Sequence, residues 1–172
     1  MLGDVGYSDG HRVTEIRRRP RGEMPTKAPS PSKGTVLTAK GTVTVCVYGK
    51  PAPQGSKSPL GMEDNPRTKP WRAAIKTVCQ EGLPAGFVPL DGPLVVDLWF
   101  FFARPPSVAL DAMPSTRSTS DWDKLSRAAG DGLTEGGVIV DDARIVDAHV
   151  HKRYCSPDTE PRMLAVVSHY RG

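Results

Sequence analysis

The stretch "LVVDLWFFFA", Leu94 to Ala103, is the longest apolar run in the chain and is broken only by Asp97. A helix needs about 20 consecutive apolar residues to cross a bilayer, so this run cannot span one. Its β-branched and aromatic content, closed by "RPP", predicts a buried strand. A chain of 172 residues built around such a strand suits one domain with a modest core and some additional sequence. Hydrophobic residues are only 38% of the total and prolines number 17, which keeps that core small.

Other elements follow from their periodicity. "TVTVCVYG" (Thr42 to Gly49) alternates and is rich in β-branched residues, which predicts a strand. "KPAPQGSKSPLGMEDNPRTK" is a Pro/Gly loop longer than a compact domain needs for a connection, and so reads as functional. "PWRAAIKTVCQEG" predicts a helix starting at Pro70 and stopping at Gly82. Trp71, Ile75, Val78 and Cys79 share one face of it, with Arg72 and Lys76 on another. A polar loop, "SVALDAMPSTRSTS", leads to a second helix of roughly Asp121 to Leu133, with Leu125, Ala128, Ala129 and Leu133 toward the core. "VIV", "RIVDAHVHKRY" and "RMLAVVSHY" read as closing strands. The order β-α-β-α-β-β makes an α+β domain, with a mixed sheet and two helices.

Charge is unevenly placed. The net charge is +4, and residues 1–40 hold eight Lys/Arg against four Asp/Glu, while residues 41–172 balance. "RRRPR" and "PTKAPSPSKG" have no apolar periodicity and cannot repay the entropy of ordering. Residues 1–39 therefore read as a disordered basic arm, and 40–172 as the folded domain. The arm either binds nucleic acid or is a leader without a role, since Met24 could equally be a start. Cys46, Cys79 and Cys155 are odd in number and widely spaced, which suits a reducing compartment and buried, unpaired thiols. The first residues lack the apolar core of a secretory signal, so a soluble protein of the cytoplasm is expected.

The chemistry concentrates in "SDWDKLSRAAGDGLTEGGVIVDDARIV", Ser120 to Val146, which holds Asp121, Asp123, Asp131, Asp141 and Asp142. Residues two apart on a helix point about 200° from one another. Asp121 and Asp123 can converge only if Asp121 lies in the extended segment before the first turn, where it also meets the helix's unpaired amides. Asp141 and Asp142 arrive at the turn into the next strand. If the beginnings of that helix and strand lie close, three or four carboxylates fall within a few ångströms. Two like charges 4 Å apart repel by about 4 kcal/mol at an effective dielectric of 20, and a divalent cation removes the conflict. All candidate ligands are hard oxygens, which favours Mg²⁺ or Mn²⁺ over zinc. The plain structural alternative is a helix cap at Asp121 and a solvated turn at Asp141-Asp142. D-x-D alone also occurs in nucleotide-sugar transferases.

Asp121, Asp123, Lys124, Leu125, Arg127, the "DGL" of Asp131 to Leu133 and "DDARI" together resemble the signature of the RusA-type Holliday-junction resolvases. That signature has the form D-x-D-N-L-x-K, an apolar helix with D-A-L, then D-D-A-Q-V. "YGKPAPQGSK" (Tyr48 to Lys57) and the tryptophan-containing helix resemble the usual first strand, loop and helix, so the resemblance covers roughly residues 42–170. It implies a homodimeric, Mg²⁺-dependent endonuclease, of phage or bacterial type, that nicks opposed strands of a four-way DNA junction. It further implies Asp121, Asp123 and Asp142 as metal ligands, Asp141 as an accessory, and Arg127 in place of a catalytic lysine.

Three positions depart from the pattern. Lys124 replaces an asparagine, Arg127 a lysine and Arg144 a glutamine. Arginine stabilises developing negative charge but cannot exchange a proton near neutral pH, so activity survives here if the family lysine acts by charge. Arg127 could alternatively be only an ion-pair partner on the helix. Lys57, Arg67, Lys69, Arg72 and Lys76 gather around the long loop and first helix and read as phosphate contacts, joined by Lys124 and Lys152. His149 and His151 lack further soft ligands and read as a plain strand face. The rival functions are a non-catalytic junction-binding protein of the same fold and, more remotely, a sugar transferase.

Overall fold

A computed structural model describes residues 33–54 and 67–171. Five strands and two helices follow in the order β1 (Gly34–Ala39), β2 (Thr42–Tyr48), α1 (Thr68–Gly82), β3 (Leu94–Phe102), α2 (Trp122–Glu135), β4 (Ile145–Tyr154) and β5 (Arg162–His169). The expected α+β class with a mixed sheet and two helices is present, with one strand more at the start than the sequence indicates. β1 pairs with β2 through Ala39 and Thr42 around a two-residue turn, where Lys40 and Gly41 both have positive φ (45° and 77°). A turn of that hand matches the twist of the strands it joins.

This hairpin corrects the expected domain boundary. Residues 34–39 belong to the sheet, and Lys33 reaches across to Glu160 at 2.9 Å. Pairing with β2 satisfies the backbone of a segment whose own side chains are nearly all exposed. The remainder of the expected arm, 1–32, lies outside the described residues.

The sheet order is β1-β2-β5-β3-β4, with β3 and β4 parallel and every other pair antiparallel. Strict alternation gives the sheet one dry face, formed by Val43, Val45 and Val47, by Leu94, Val96, Leu98, Phe100 and Phe102, and by Met163, Ala165 and Val167. The apolar run of β3 is thus buried at every second residue. Val95, Asp97, Trp99 and Phe101 are only half-buried. Trp99 stacks on His151 with ring centroids 3.9 Å apart, and Arg153 and Arg162 lie over Trp99 and Phe101. His149 and His151 lie on β4, His149 with its Nδ1 2.9 Å from Oδ1 of Asp97.

Both helices bury the faces their periodicity predicts: Trp71, Ile75, Val78 and Cys79 on α1, and Leu125, Ala128, Ala129 and Leu133 on α2. The helices touch closely where α2 has glycine. A Cβ at Gly132 would lie 2.8 Å from Cγ2 of Ile75. α2 ends with Gly137 in the left-handed region (φ 79°), where glycine carries no steric penalty. The "VIV" segment forms only an isolated bridge between Ile139 and Leu90, flanked by two backbone hydrogen bonds of 2.9 and 3.0 Å. It is a clip, with Val138 and Ile139 buried and Val140 exposed, rather than a strand.

Because β3 and β4 run the same way, the helix between them must run back. α2 therefore begins beside the end of β4 and finishes beside its start. That direction decides where the aspartates go.

Candidate active site

The chain reaches α2 through a short 3₁₀ turn, Arg117–Thr119, pinned by the buried Thr119. The Thr119 hydroxyl lies 2.9 Å from the carbonyl of Pro114 and 2.8 Å from that of Thr116. Ser120 then adopts φ 64°, ψ 165°. Only glycine visits that region freely, and any other residue there costs on the order of 1–3 kcal/mol. The Lys152 ammonium, arriving from β4, donates to the Ser120 carbonyl at 2.7 Å. A hydrogen bond to a charged donor contributes about 1.5–3 kcal/mol, enough to offset the strain. Burial holds the Lys152 pKa below the ordinary lysine range, and the negative charge of Asp121 opposes that shift.

Asp121 follows in an extended conformation (φ −74°, ψ 139°) immediately before the first turn of α2, where convergence with Asp123 requires it. Its carboxylate makes no capping bond and lies 3.2 Å from the Lys124 ammonium. Asp123, in the first turn, accepts from Nη2 of Arg127 at 3.0 Å. Asp121, Asp123, Ser120, Arg117 and Lys152 all line one open cleft of about 380 Å³.

Asp141 and Asp142 do not join them. Asp141 caps a 3₁₀ turn, Asp142–Arg144, by accepting from the Ala143 amide at 2.8 Å. Asp142 rests against α2 much later in the helix: a Cβ on Gly130 would lie 3.3 Å from its Cβ and 3.4 Å from its Oδ2. Gly130 comes two helical turns after Asp123, about 10 Å along the axis. The expectation that the beginnings of helix and strand lie close is thus corrected, because the crossover sets the start of β4 beside the later part of α2. Among the described residues, no group of three or more His, Cys, Asp or Glu side chains is gathered as a metal cage. Asp123, Arg127 and Gly130 nonetheless share one helical face, so Asp142 lies in line with the cleft, with Arg127 between.

The donor chemistry still fits a hard divalent cation. Asp121 and Asp123 offer exposed carboxylate oxygens in one cleft, and the cations now beside them form surface pairs worth about 0–1 kcal/mol each. Such pairs yield readily to a doubly charged ion.

The cations divide by position. Arg117 and Ser120 also line a second cleft of about 510 Å³, with Lys50, Arg67, Pro51, Ala52, Pro53 and Ser118. Lys124 lines the passage between the two clefts with Arg117 and Asp121. Arg72 is elsewhere. It pairs with Asp131 at 3.2 Å and with Glu135, tying α1 to α2 in a half-buried position away from both clefts. Lys69 and Lys76 are exposed on α1, and Lys57 falls outside the described residues. Arg144, at the position of a family glutamine, pairs with Asp91 at 2.9 Å. Sequence reasoning missed Arg117, Lys50 and Ser120. Arg117 is the lone cation of an otherwise polar loop, a signal that could have been used. The strained backbone of Ser120 has no signature in residue type.

An α+β sheet with two carboxylates in a cleft that opens onto a basic one is the framework of an enzyme handling a polyanion. Over residues 48–163, more than half its length, the chain matches the family model of endodeoxyribonuclease RusA, and it belongs to that family. Its class is therefore that of the Holliday-junction endodeoxyribonucleases, acting on branched DNA. A comparison with curated proteins finds no match. No helix among the described residues is long and apolar enough to cross a membrane.

Proposed function

We propose that this chain, as a homodimer of bacterial or phage origin, resolves four-way DNA junctions by paired nicks in a Mg²⁺-dependent reaction, with Mn²⁺ as a substitute. The observation that carries the reading is the continuity of the two clefts through Arg117 and Ser120. A DNA strand laid along them meets Lys50, Arg67 and Arg117 at its phosphates, contacts that position a strand without reading its sequence. Its next phosphate then lies over Asp121 and Asp123.

Asp121 and Asp123 would hold the metal in the cleft, and Asp142, two helical turns along the same face of α2, would complete the set by moving toward them. When bound, a divalent ion activates water and stabilises the leaving oxygen of an in-line displacement. Arg127 stands on the same helical face between Asp123 and Asp142, where its fixed charge stabilises the negative charge that develops on the phosphoryl oxygens. Lys124, released from Asp121, is free to neutralise a neighbouring phosphate. Asp141 holds the turn that presents Asp142.

The test is cleavage of a labelled four-way junction with Mg²⁺ and with chelator, for the wild type and for Asp121→Asn, Asp123→Asn and Asp142→Asn. Each amide removes a metal-binding charge, so each variant should retain its circular dichroism and lose nearly all cleavage. Wild-type rates in all three would overturn the reading. Loss in the first two alone would confine the ligand set to the cleft.

A further inference from the structure

We propose that Lys152 is a positioning residue, whose ammonium pins the Ser120 carbonyl and thereby fixes the direction in which Asp121 leaves the loop. The inference rests on the proposed role of Asp121 as a metal ligand, and extends it to a residue from a different element. Three observations meet at this point. Ser120 occupies a backbone region that is essentially restricted to glycine, directly before Asp121. The Lys152 Nζ lies 2.7 Å from that residue's carbonyl. Lys152 also lines the carboxylate cleft from the partly buried end of β4, so it is not a freely solvated surface cation.

A lysine contacting DNA and a lysine holding a loop differ in what they need from Ser120. Phosphate contact is indifferent to the backbone conformation of Ser120. A pin is required only while that conformation is costly, and glycine removes the cost. The charge itself also predicts a definite sign. Removing a cation beside two carboxylates should tighten divalent-ion binding, whereas misdirecting Asp121 should weaken it.

The experiment compares wild type, Lys152→Met, Ser120→Gly and the double variant Ser120→Gly/Lys152→Met. The readouts are kcat and KM on a four-way junction at saturating Mg²⁺, and Mn²⁺ affinity measured by electron paramagnetic resonance without DNA. Lys152→Met should lower kcat on the order of 100-fold, the cost of about 1 Å of misplacement at a reacting centre, with KM nearly unchanged. Its Mn²⁺ binding should weaken, and the double variant should recover most of both losses. A raised KM at unchanged kcat, tighter Mn²⁺ binding, or a double variant no better than Lys152→Met would each overturn the proposal. If Lys152→Met does not fold by circular dichroism, Lys152→Gln is read by the same criteria. If the wild type fails to cleave junctions, the resolvase reading fails, while the Mn²⁺ comparison still decides the role of Lys152.

Discussion

Asp121 and Asp123 face a like-charge problem that the chain meets with its own cations. Lys124 and Arg127 neutralise them in the metal-free form, at three and four residues' distance on the same helix. Arg127 is 59% exposed, so its pair with Asp123 contributes little to stability, and its loss should be felt in catalysis. Arg127→Ala should lower the junction-cleavage rate by roughly two orders of magnitude, in line with loss of one preorganised electrostatic stabiliser, and Arg127→Lys should keep substantial activity. Single-turnover rates check this, and a harmless alanine would reduce Arg127 to an ion-pair partner. A second residue-scale effect lies on the open face of the sheet. His149 hydrogen-bonds Asp97 at 2.9 Å, and this bond, followed by the charges of Asp147 and Asp97, raises its pKa. A raised folded-state pKa stabilises the fold fully below the unfolded value of about 6.5, and the gain disappears as pH rises through the raised pKa. Urea unfolding of wild type and His149→Asn should therefore differ at pH 5.5 and converge at pH 9.

The elements divide by how much local pattern each carries. α1, α2, β2, β3 and β5 bury alternating or helically spaced apolar residues, so their identity and inward faces were readable from residue type. β1 was not, because "GTVLTA" is exposed almost throughout and is a strand only by virtue of β2 beside it. "VIV" misleads in the opposite sense, since an apolar triplet with Val138 and Ile139 buried makes a clip when only one of its residues finds a bridge partner. The carboxylates were found as residues and misjudged as a cluster. Proximity of Asp142 depends on the direction of α2 relative to β4, and direction is a property of topology that no residue within the motif encodes. The contact between helices is similarly non-local. Gly132→Ala should destabilise the fold by about 1–3 kcal/mol, the usual cost of overpacking, because Ile75 already occupies the space. The midpoint of denaturant unfolding measures it, and an unchanged midpoint would mean that α1 and α2 separate easily.

At the scale of the molecule, electrostatics are close to balanced where DNA must be held. From residue 33 onward there are seventeen Lys/Arg against fifteen Asp/Glu, and six of those acids lie between Ser120 and Val146. Residues 1–32 add six Lys/Arg against four Asp/Glu. Without a divalent ion, the carboxylates should repel the phosphates nearest the cut. Junction affinity should therefore rise with Ca²⁺, a non-cleaving substitute, and Asp121→Asn/Asp142→Asn should bind the junction more tightly than wild type in chelator. Titrations at fixed ionic strength check both signs. Equal metal-free affinities would mean that these carboxylates face away from the DNA.

The sheet order also has a consequence for how the protein is made. β5 comes last in chain order among the described strands, yet it lies between β2 and β3 and is hydrogen-bonded to both. Until it emerges from the ribosome, the β1-β2 hairpin and the β3-α2-β4 unit share no sheet, and neither owns a complete core. Domains usually fold progressively as the chain is produced, but this arrangement defers closure until almost the whole described sequence is available. A nascent or prematurely ended chain therefore carries every aspartate of the cleft without the scaffold that directs them. A nuclease assembled in this way stays inert until β5 has been made and has joined the two halves of the sheet.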